Sequence, residues 1–250
     1  MTQDLSRLAI QCFDRLAPFY DRKTANRKKY NTAIDNQIIK YLLKQDKPKV
    51  LDVGCGTGSR AQKLKGKIKG SRFFGVDAST KMVEIAKTKK LDSVLKTNMV
   101  KLPFEDSYFD DIICLFNSFG YLSDYQDRKK TLSEFYRVLS KGGLLFIDVM
   151  NAWHLGEEKE FKRSLLTVFW EWLFAVINPR LSAGDKIFSI DVGAFQISGF
   201  VHGFTDHEMR DLLKGAGFSI HKFLIIGYNS GEIKKKPRQG QFFYVAKKIN

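Results

Sequence analysis

The segment VLDVGCGTGS, residues 50–59, carries three glycines at alternate positions directly after an apolar run. This pattern is typical of a buried strand that turns tightly into a helix and passes its bare backbone close to a ligand. Short apolar runs and amphipathic segments continue to alternate as far as residue 150. That alternation predicts an α/β fold, in which a doubly wound parallel sheet is covered by helices on both faces.

The C-terminal part departs from this alternation. Residues 205–208 read T-x-x-E, a capping box that predicts a helix ending at residues 215–217. Residues 221–228 and 241–248 are consecutive strand candidates without a helix between them, which predicts an antiparallel pair. The expected sheet therefore has seven strands and is mostly parallel, with an antiparallel strand at its C-terminal end.

One domain is expected, because no linker or repeat divides the chain. Its predicted parts are an N-terminal helical lid over residues 1–48, a sheet core over 49–150, a cap insertion over 151–204, and a helix with a strand pair over 205–250. In the core, residues 126–140 should form a helix that ends at Gly142 and Gly143. In the cap, the strand candidates 186–192 and 193–201 should form a hairpin.

The apolar segment 161–177 has two interpretations. It is either a cap helix that buries its aromatic side chains over a pocket, or an interfacial helix that makes peripheral contact with a membrane. It is too short to span a bilayer and is interrupted by Glu171.

The bulk composition leaves several partners open. The net charge of +15 fits a nucleic acid, an anionic substrate or an anionic membrane, and equally a solvated basic surface. The three cysteines have no metal-ligand spacing, so we expect reduced thiols, no metal and a cytoplasmic location.

The glycine loop and two acids restrict the ligand. Gly54, Gly56 and Gly58 form GxGxG, whereas the dinucleotide fingerprint of a nicotinamide dehydrogenase is GxGxxG. Asp52, at the end of the preceding strand, would repel a pyrophosphate and attract a cation. Asp77 ends the next strand, where a carboxylate can accept hydrogen bonds from both ribose hydroxyls. Together these residues favour S-adenosylmethionine (SAM), which carries an ammonium and a sulfonium but no phosphate.

These residues also resemble a known family. VLDVGCGTGS, GVDAS (75–79), residues 97–122 and residues 133–151 are similar to successive motifs of the class I SAM-dependent methyltransferases. FDRLAPFYD (13–21) is most similar to the small-molecule methyltransferases related to those of quinone biosynthesis, and residues 203–218 form a segment typical of the family. The resemblance covers residues 13–151 and 203–218, and it implies a Rossmann-like methyltransferase fold.

The loop pattern and the resemblance together indicate the cofactor contacts. The expected set is Tyr20, Asp52, Gly54, Cys55, Gly56, Thr57, Gly58, Asp77, Ala78, Ser79, Met82, Asn98, Met99, Phe116 and Asn117. The resemblance implies that Tyr20 closes over the cofactor, although a packed core tyrosine is an equal alternative. Asn98 departs from the family, which usually has an acid there to receive the adenine amino group.

The acceptor side is less restricted. Methyl transfer needs a general base only if the nucleophile arrives protonated, and His154 or His202 could supply one. Tyr121, Asn151 and Trp153 are the candidate substrate contacts. We expect an enzyme that methylates a small acceptor, which could be apolar or lipid-like.

Two alternatives remain open beside this expectation. One is an RNA or other nucleic acid methyltransferase, which the basic net charge favours. The segment 116–121, FNSFGY, lacks the proline pair of the enzymes that methylate base amino groups, and this makes a nucleic acid partner less favoured. The other is a SAM-binding protein without catalysis. The oligomeric state is not indicated by the sequence.

Overall fold

The computed structural model describes residues 5–157, 165–178, 181–192 and 195–249. The helices are α1 (Leu5–Leu16), α2 (Tyr20–Lys23), α3 (Lys28–Leu42), α4 (Ser59–Lys65), α5 (Thr80–Ala86), α6 (Tyr125–Val138), α7 (Leu165–Ile177) and α8 (Asp206–Gly215). The strands are β1 (Lys49–Val53), β2 (Arg72–Asp77), β3 (Ser93–Lys96), β4 (Phe109–Cys114), β5 (Leu139–Val149), β6 (Asp185–Val192), β7 (Phe195–His202), β8 (Phe218–Ile226), β9 (Ile233–Lys234) and β10 (Gln241–Lys248).

The main sheet has the order β3-β2-β1-β4-β5-β10-β8-β9. Strands β3 to β5 in this order are parallel, and β10 runs antiparallel to both β5 and β8. The prediction of a doubly wound, mostly parallel sheet with an antiparallel C-terminal strand is confirmed. The sheet differs from the expected seven strands by one extra edge strand, β9, which is two residues long.

Helices cover both faces of this sheet. Val50 and Ile113 pack with α3 and α4 in one apolar cluster, whereas Leu51 and Ile112 pack with α6 and α8 in the other. Successive side chains of a strand point to opposite faces, so the central strands β1 and β4 supply apolar side chains to both clusters. This double burial explains why apolar residues stand next to one another in both strands instead of alternating with polar ones.

The predicted end of the helix α6 was wrong. The helix ends at Val138, and β5 begins at Leu139, so that Gly142 and Gly143 lie inside the strand. A Cβ atom on Gly143 would stand 2.5 Å from the carbonyl oxygen of Asp110. Gly143 therefore permits a close approach of strands β4 and β5 rather than capping a helix.

The cap hairpin, β6 and β7, is confirmed as a separate two-stranded sheet. Together with α1 it forms an apolar cluster in which Cys12 and Leu16 contact Ile197. The helix α7 is joined to the hairpin by an ion pair of 2.8 Å between Glu171 and Lys186. The first residues of the predicted helix 161–177 lie outside the described residues.

Much of α7 is apolar and exposed. Leu166, Trp170 and Ile177 have 69%, 63% and 68% of their surfaces accessible. Within the part of the chain that the structure describes, no helix is long and apolar enough to cross a bilayer.

Candidate functional site

The glycine loop lies at the carboxyl ends of the parallel strands and is tied to the end of β2. The amides of Gly54 and Cys55 donate to the carbonyl oxygen of Val76 at 2.8 and 3.0 Å. The amide of Gly56 donates to the Asp77 carboxylate at 2.8 Å. Asp77 therefore fixes the shape of the loop as well as facing the cavity beside it.

Two of the glycines show what the loop requires. Gly56 has φ +54°, and a Cβ atom there would meet only Tyr20 and Met82, at 3.6 and 3.9 Å, so this residue borders open space. Gly58 has φ +72° and lies against α5, where a Cβ atom would be 3.2 Å from that of Ala86. Both backbone conformations favour glycine.

One side of the loop borders a cavity that we call the Asp77 cavity. Its polar floor is the Asp77 carboxylate, which also accepts from the amide of Ser79 at 2.8 Å. The cavity is lined by most of the residues expected to hold a nucleoside: Tyr20, Gly54, Gly56, Asp77, Ala78, Ser79, Met82, Asn98, Met99 and Phe116. Residues from α1, among them Phe13, close its outer side.

The other side of the loop borders a second cavity, which we call the Asp52 cavity. Asp52, Cys55 and Thr57 line it, together with Asn31 and Arg60. Arg60 donates to Asp35 at 2.8 Å through Nε. Its Nη1 and the Asn31 Oδ1 are buried without a hydrogen-bond partner among the described residues. Such atoms indicate where a polar ligand would bind.

Burial controls the charge of the acids around the loop. It raises the pKa of Asp52 to about 7, although the positive charge of Arg60 acts in the opposite direction. Burial also raises the pKa of Asp77, against the hydrogen bonds from the amides of Ser79 and Gly56. A cationic ligand at Asp52 would oppose the effect of burial and favour the carboxylate.

The third cavity lies beneath the cap hairpin and has a volume of about 650 Å³. We call it the cap cavity. Its wall is mostly apolar and is supplied by α1, α3, β5 and the hairpin, including Phe13, Val149, Met150, Phe188 and Ile190. Tyr20 and Phe116 line all three cavities, so these two side chains stand where the cavities meet.

Two acids of the FDRLAPFYD segment attach the N-terminal helices to the loop region. Asp14 accepts from the hydroxyl of Ser79 at 2.7 Å and from the amide of Lys81 at 3.0 Å, at the start of α5. Asp21 accepts from the hydroxyls of Thr57 and Ser59 at 2.6 and 2.7 Å. These contacts hold Tyr20 over the loop.

A buried acid stands in the wall of the cap cavity. The Tyr30 hydroxyl donates to Asp148 Oδ2 at 2.8 Å, and the Phe116 amide donates to Oδ1. Burial raises the pKa of Asp148, against the charge of Arg60 and the hydrogen bond from Tyr30. A group that donates a hydrogen bond to the Tyr30 oxygen can pass its proton to Tyr30 while Tyr30 passes its own proton to Asp148.

The remaining predicted residues fall into different places. Tyr121 lines both the Asp77 cavity and the cap cavity, and His154 faces the cap cavity with its Nδ1 3.4 Å from the Gln241 amide nitrogen. Gly58 is the N-terminal cap residue of α4. Asn117 lines the cap cavity, and its side-chain oxygen accepts from the Met150 amide at 2.8 Å.

Asn151 and Trp153 lie away from the cap cavity lining. Asn151 is buried, and its side-chain amide donates to the carbonyl oxygens of Pro237 and Gly240 at 2.6 and 3.0 Å. Trp153 lines a small separate cavity between α7 and the start of β6. Neither residue lines the cap cavity, so their assignment as substrate contacts stays a prediction.

His202 also lies away from the three cavities. Its Nδ1 is 2.6 Å from Asp185, and its Nε2 is 3.2 Å from Glu208, which in turn pairs with Arg128 at 3.0 Å. Both ring nitrogens are thus occupied by carboxylates. Glu208 is the glutamate of the predicted capping box. Its carboxylate belongs to this network, and its backbone amide donates to the Thr205 hydroxyl. The network joins the cap hairpin to α6 and α8.

Several residues of the three cavities were missed by the sequence reasoning: Arg27, Tyr30, Asn31, Arg60, Asp148 and Tyr228. Two of them could have been predicted from the sequence. Arg60 follows the glycine loop, and Asp148 lies at the carboxyl end of a parallel strand. The others come from the N-terminal helices and from the loop after β8, where no motif marks them.

The chain is similar to known methyltransferases. Residues 51–147 match a family model described as a methyltransferase domain. A ubiquinone/menaquinone biosynthesis C-methyltransferase of Campylobacter jejuni is 29% identical over 91% of this chain and 97% of its own length. A demethylmenaquinone methyltransferase of Thermotoga maritima is 35% identical over 56% of this chain and 60% of its own length.

Solved structures support the same fold. A SAM-dependent methyltransferase of Methanosarcina mazei superposes with a TM-score of 0.67 at 22% identity, over 85% of this chain and 97% of that one.

Proposed function

We propose that this chain, a SAM-dependent methyltransferase by its family model and its relatives, methylates a small organic acceptor bound in the cap cavity. The observation that carries the proposal is the meeting of the cap cavity with the two loop cavities at Tyr20 and Phe116. An acceptor in the cap cavity would therefore reach a cofactor beside the glycine loop.

The residues of the Asp52 cavity fit the amino acid end of SAM. Asp52 would take the ammonium, because it is a buried carboxylate with no cation within ion-pair distance among the described residues. Arg60 Nη1 would donate to the carboxylate, and the Asn31 Oδ1 would accept from the ammonium. An ammonium and a carboxylate on one ligand match the acid and the base that border this cavity.

The Asp77 cavity fits the nucleoside end. Asp77 would accept from the ribose hydroxyls, as the resemblance implies, and Met82 with Met99 would border the adenine. Asn98 stands where the family usually has an acid, and its side-chain oxygen already accepts from the Val100 amide at 3.2 Å. We therefore propose that the adenine is held mainly by packing and by backbone groups.

Bound SAM supplies an electrophilic methyl group on a sulfonium. The chain's own residues position the acceptor and exclude water, which accounts for much of the acceleration in such a transfer. Tyr20, held by the contacts of Asp14 and Asp21, would cover the site from outside. If the acceptor arrives protonated, Tyr30 with Asp148, or His154, would receive its proton.

The cap supports an apolar or lipid-like acceptor. The cap hairpin and α1 together give an apolar wall, and α7 carries an exposed apolar surface next to it, with Glu171 at the cavity lining. We propose that residues 5–48 act as the lid and the described part of 151–204 as the cap. The exposed side of α7 would contact a lipid surface when the acceptor is lipid-like.

Binding and transfer assays test the proposal. We expect calorimetry to show SAM and S-adenosylhomocysteine binding at one site, and no binding of NAD. We then expect methyl-labelled SAM to pass its label to a small molecule rather than to RNA, and reduced demethylmenaquinone, the type of acceptor named for two relatives, is the first small molecule to test. Total tRNA serves as the competing acceptor. Failure of both SAM and S-adenosylhomocysteine to bind would overturn the proposal, and label on the tRNA would favour the nucleic acid alternative.

Asp52 should make cofactor binding depend on pH. The pKa of Asp52 is about 7 in the free protein, and pairing with the cofactor ammonium would lower the pKa in the complex. At low pH the free protein holds a proton that binding must release, so affinity increases with pH. We expect the dissociation constant of S-adenosylhomocysteine to rise about tenfold per pH unit below about pH 7 and to level off above it.

Calorimetric titrations across this pH range check the expectation. The Asp52→Asn variant serves as the control, because it has the same size and cannot ionise. We expect weaker binding and a flatter profile in that variant. Equal slopes for the two proteins would show that another group controls the pH dependence.

A further inference from the structure

Most charged groups around the cap cavity have a partner within the protein. Lys186 pairs with Glu171 at 2.8 Å, and the Lys23 amine donates to the carbonyl oxygen of Asp191 at 2.7 Å. Asp148 accepts from the Tyr30 hydroxyl and from the Phe116 amide. The charges of these groups are thus balanced or solvated without a ligand.

Arg27 is different. Its guanidinium carbon lies 4.3 Å from the ring centre of Phe116 and 5.2 Å from that of Tyr228, so the group stands between two aromatic rings. Its Nε is buried without a hydrogen-bond partner, and the side chain makes no ion pair among the described residues. Contact with aromatic rings stabilises the cation, but it gives the N–H groups of the guanidinium no hydrogen-bond acceptor.

The positive charge of Arg27 acts on three tyrosines around it. The charge of Arg27 acts against the burial that raises the pKa values of Tyr20, Tyr121 and Tyr228. All three tyrosines border the cap cavity. The guanidinium therefore acts on the part of the cavity that these tyrosines border, which includes Tyr20, where the three cavities meet.

Arg27 is partly exposed, and the cost lies in its Nε, a buried donor that has no acceptor among the described residues until a ligand supplies one. We propose that the acceptor carries an anionic oxygen group, a carboxylate or a phosphate, that binds Arg27 while its flat apolar body lies along the aromatic wall of the cap cavity. This inference rests on the proposed function of the site. The planar fork of arginine suits both anions, because it donates two parallel hydrogen bonds.

The same arrangement is consistent with the charge of the cofactor. Bound SAM would bring a sulfonium close to Phe116, the ring on which Arg27 rests. Two positive charges would then face one cavity, and a neutral acceptor would leave both uncompensated. An anionic acceptor offsets this repulsion, so the preference for an anion should increase when SAM is bound rather than S-adenosylhomocysteine, which has no sulfonium charge.

A pair of probes separates charge from shape. Naphthalene-2-carboxylate and naphthalene-2-carboxamide have the same ring and differ in the negative charge. We expect the full chain, saturated with S-adenosylhomocysteine, to bind the carboxylate about tenfold or more tightly than the carboxamide, as measured by calorimetry. In Arg27→Met the carboxylate should weaken until the two probes bind within about twofold. Arg27→Lys should keep part of the preference.

Lys28→Met is the matched control. Lys28 follows Arg27 directly, is exposed and does not line the cap cavity. Its replacement by methionine removes the same charge as Arg27→Met. We expect this variant to keep the preference for the carboxylate. Equal binding of the two probes by the unaltered protein, or an unchanged preference in Arg27→Met, would overturn the inference.

The outcome is distinguishable from failure of the proposed function. S-adenosylhomocysteine binding, measured in each variant, reports on the cofactor site and on folding. A chain that binds the cofactor product but shows no carboxylate preference contradicts only the inference. The probes are also titrated without S-adenosylhomocysteine. If the protein prefers the carboxylate there but does not bind S-adenosylhomocysteine, only the proposed function is contradicted.

Discussion

The Asp77→Asn variant should bind SAM at least about 100-fold more weakly than the unaltered chain. Two hydrogen bonds from ribose hydroxyls to a carboxylate are each worth about 1.5–3 kcal/mol, and an amide offers one acceptor in place of two. Asp77 also holds the amides of Gly56 and Ser79 at 2.8 Å, so the loop loses its own support. Calorimetric titration with SAM gives the change directly.

Asp92→Asn is the control for this variant. Asp92 stands at the opposite end of β2 and likewise accepts from a backbone amide, that of Phe73, at 2.7 Å. Its replacement should lower stability without changing the affinity for SAM. A loss of less than about threefold in Asp77→Asn would refute the ribose role of Asp77.

Arg128→Met should lower the free energy of unfolding by about 3 kcal/mol. The Arg128 side chain is 2% exposed and donates to Glu208 and to the carbonyl oxygens of Leu122 and Ser123. Its removal takes a donor from each of these acceptors and leaves the carboxylates of Glu208 and Asp185 beside His202 without the Arg128 cation. We expect the melting temperature to fall by about 6–12 °C.

Lys130→Met provides the comparison, because Lys130 lies on the same helix and is exposed. We expect a change of less than about 0.5 kcal/mol in that variant. Thermal denaturation of the two variants, followed by circular dichroism, measures the difference. Equal melting temperatures would show that the network of His202 and Arg128 contributes little to stability.

The parts of the molecule that the sequence predicted are those with a local cause. The glycine loop, Asp77 at the end of β2, and the caps Ser79 and Thr205 depend on residues a few positions apart. The antiparallel relation of β8 and β10 was also predictable, since no helix separates them. These features need only the spacing of residues along one stretch of chain.

The parts that were not predictable depend on contacts between distant stretches. The position of β10 between β5 and β8 follows from packing of the whole sheet. Arg27 contacts Phe116 and Tyr228, which come from three separate regions. His202 faces Asp185 and Glu208 because the hairpin folds back onto α8. A lone histidine in a sequence does not reveal which carboxylates will surround it.

The hairpin β6–β7 adds no strand to the main sheet, although it builds much of the cap cavity wall. Under the proposed function, the residues that bind the methyl donor and many of those that border the acceptor belong to separate stretches of the chain. Substitutions in the hairpin can accumulate across generations without disturbing the loop at residues 54–58. In a lineage of such enzymes, changes in the hairpin would then alter the acceptor while the residues that bind the donor are inherited intact.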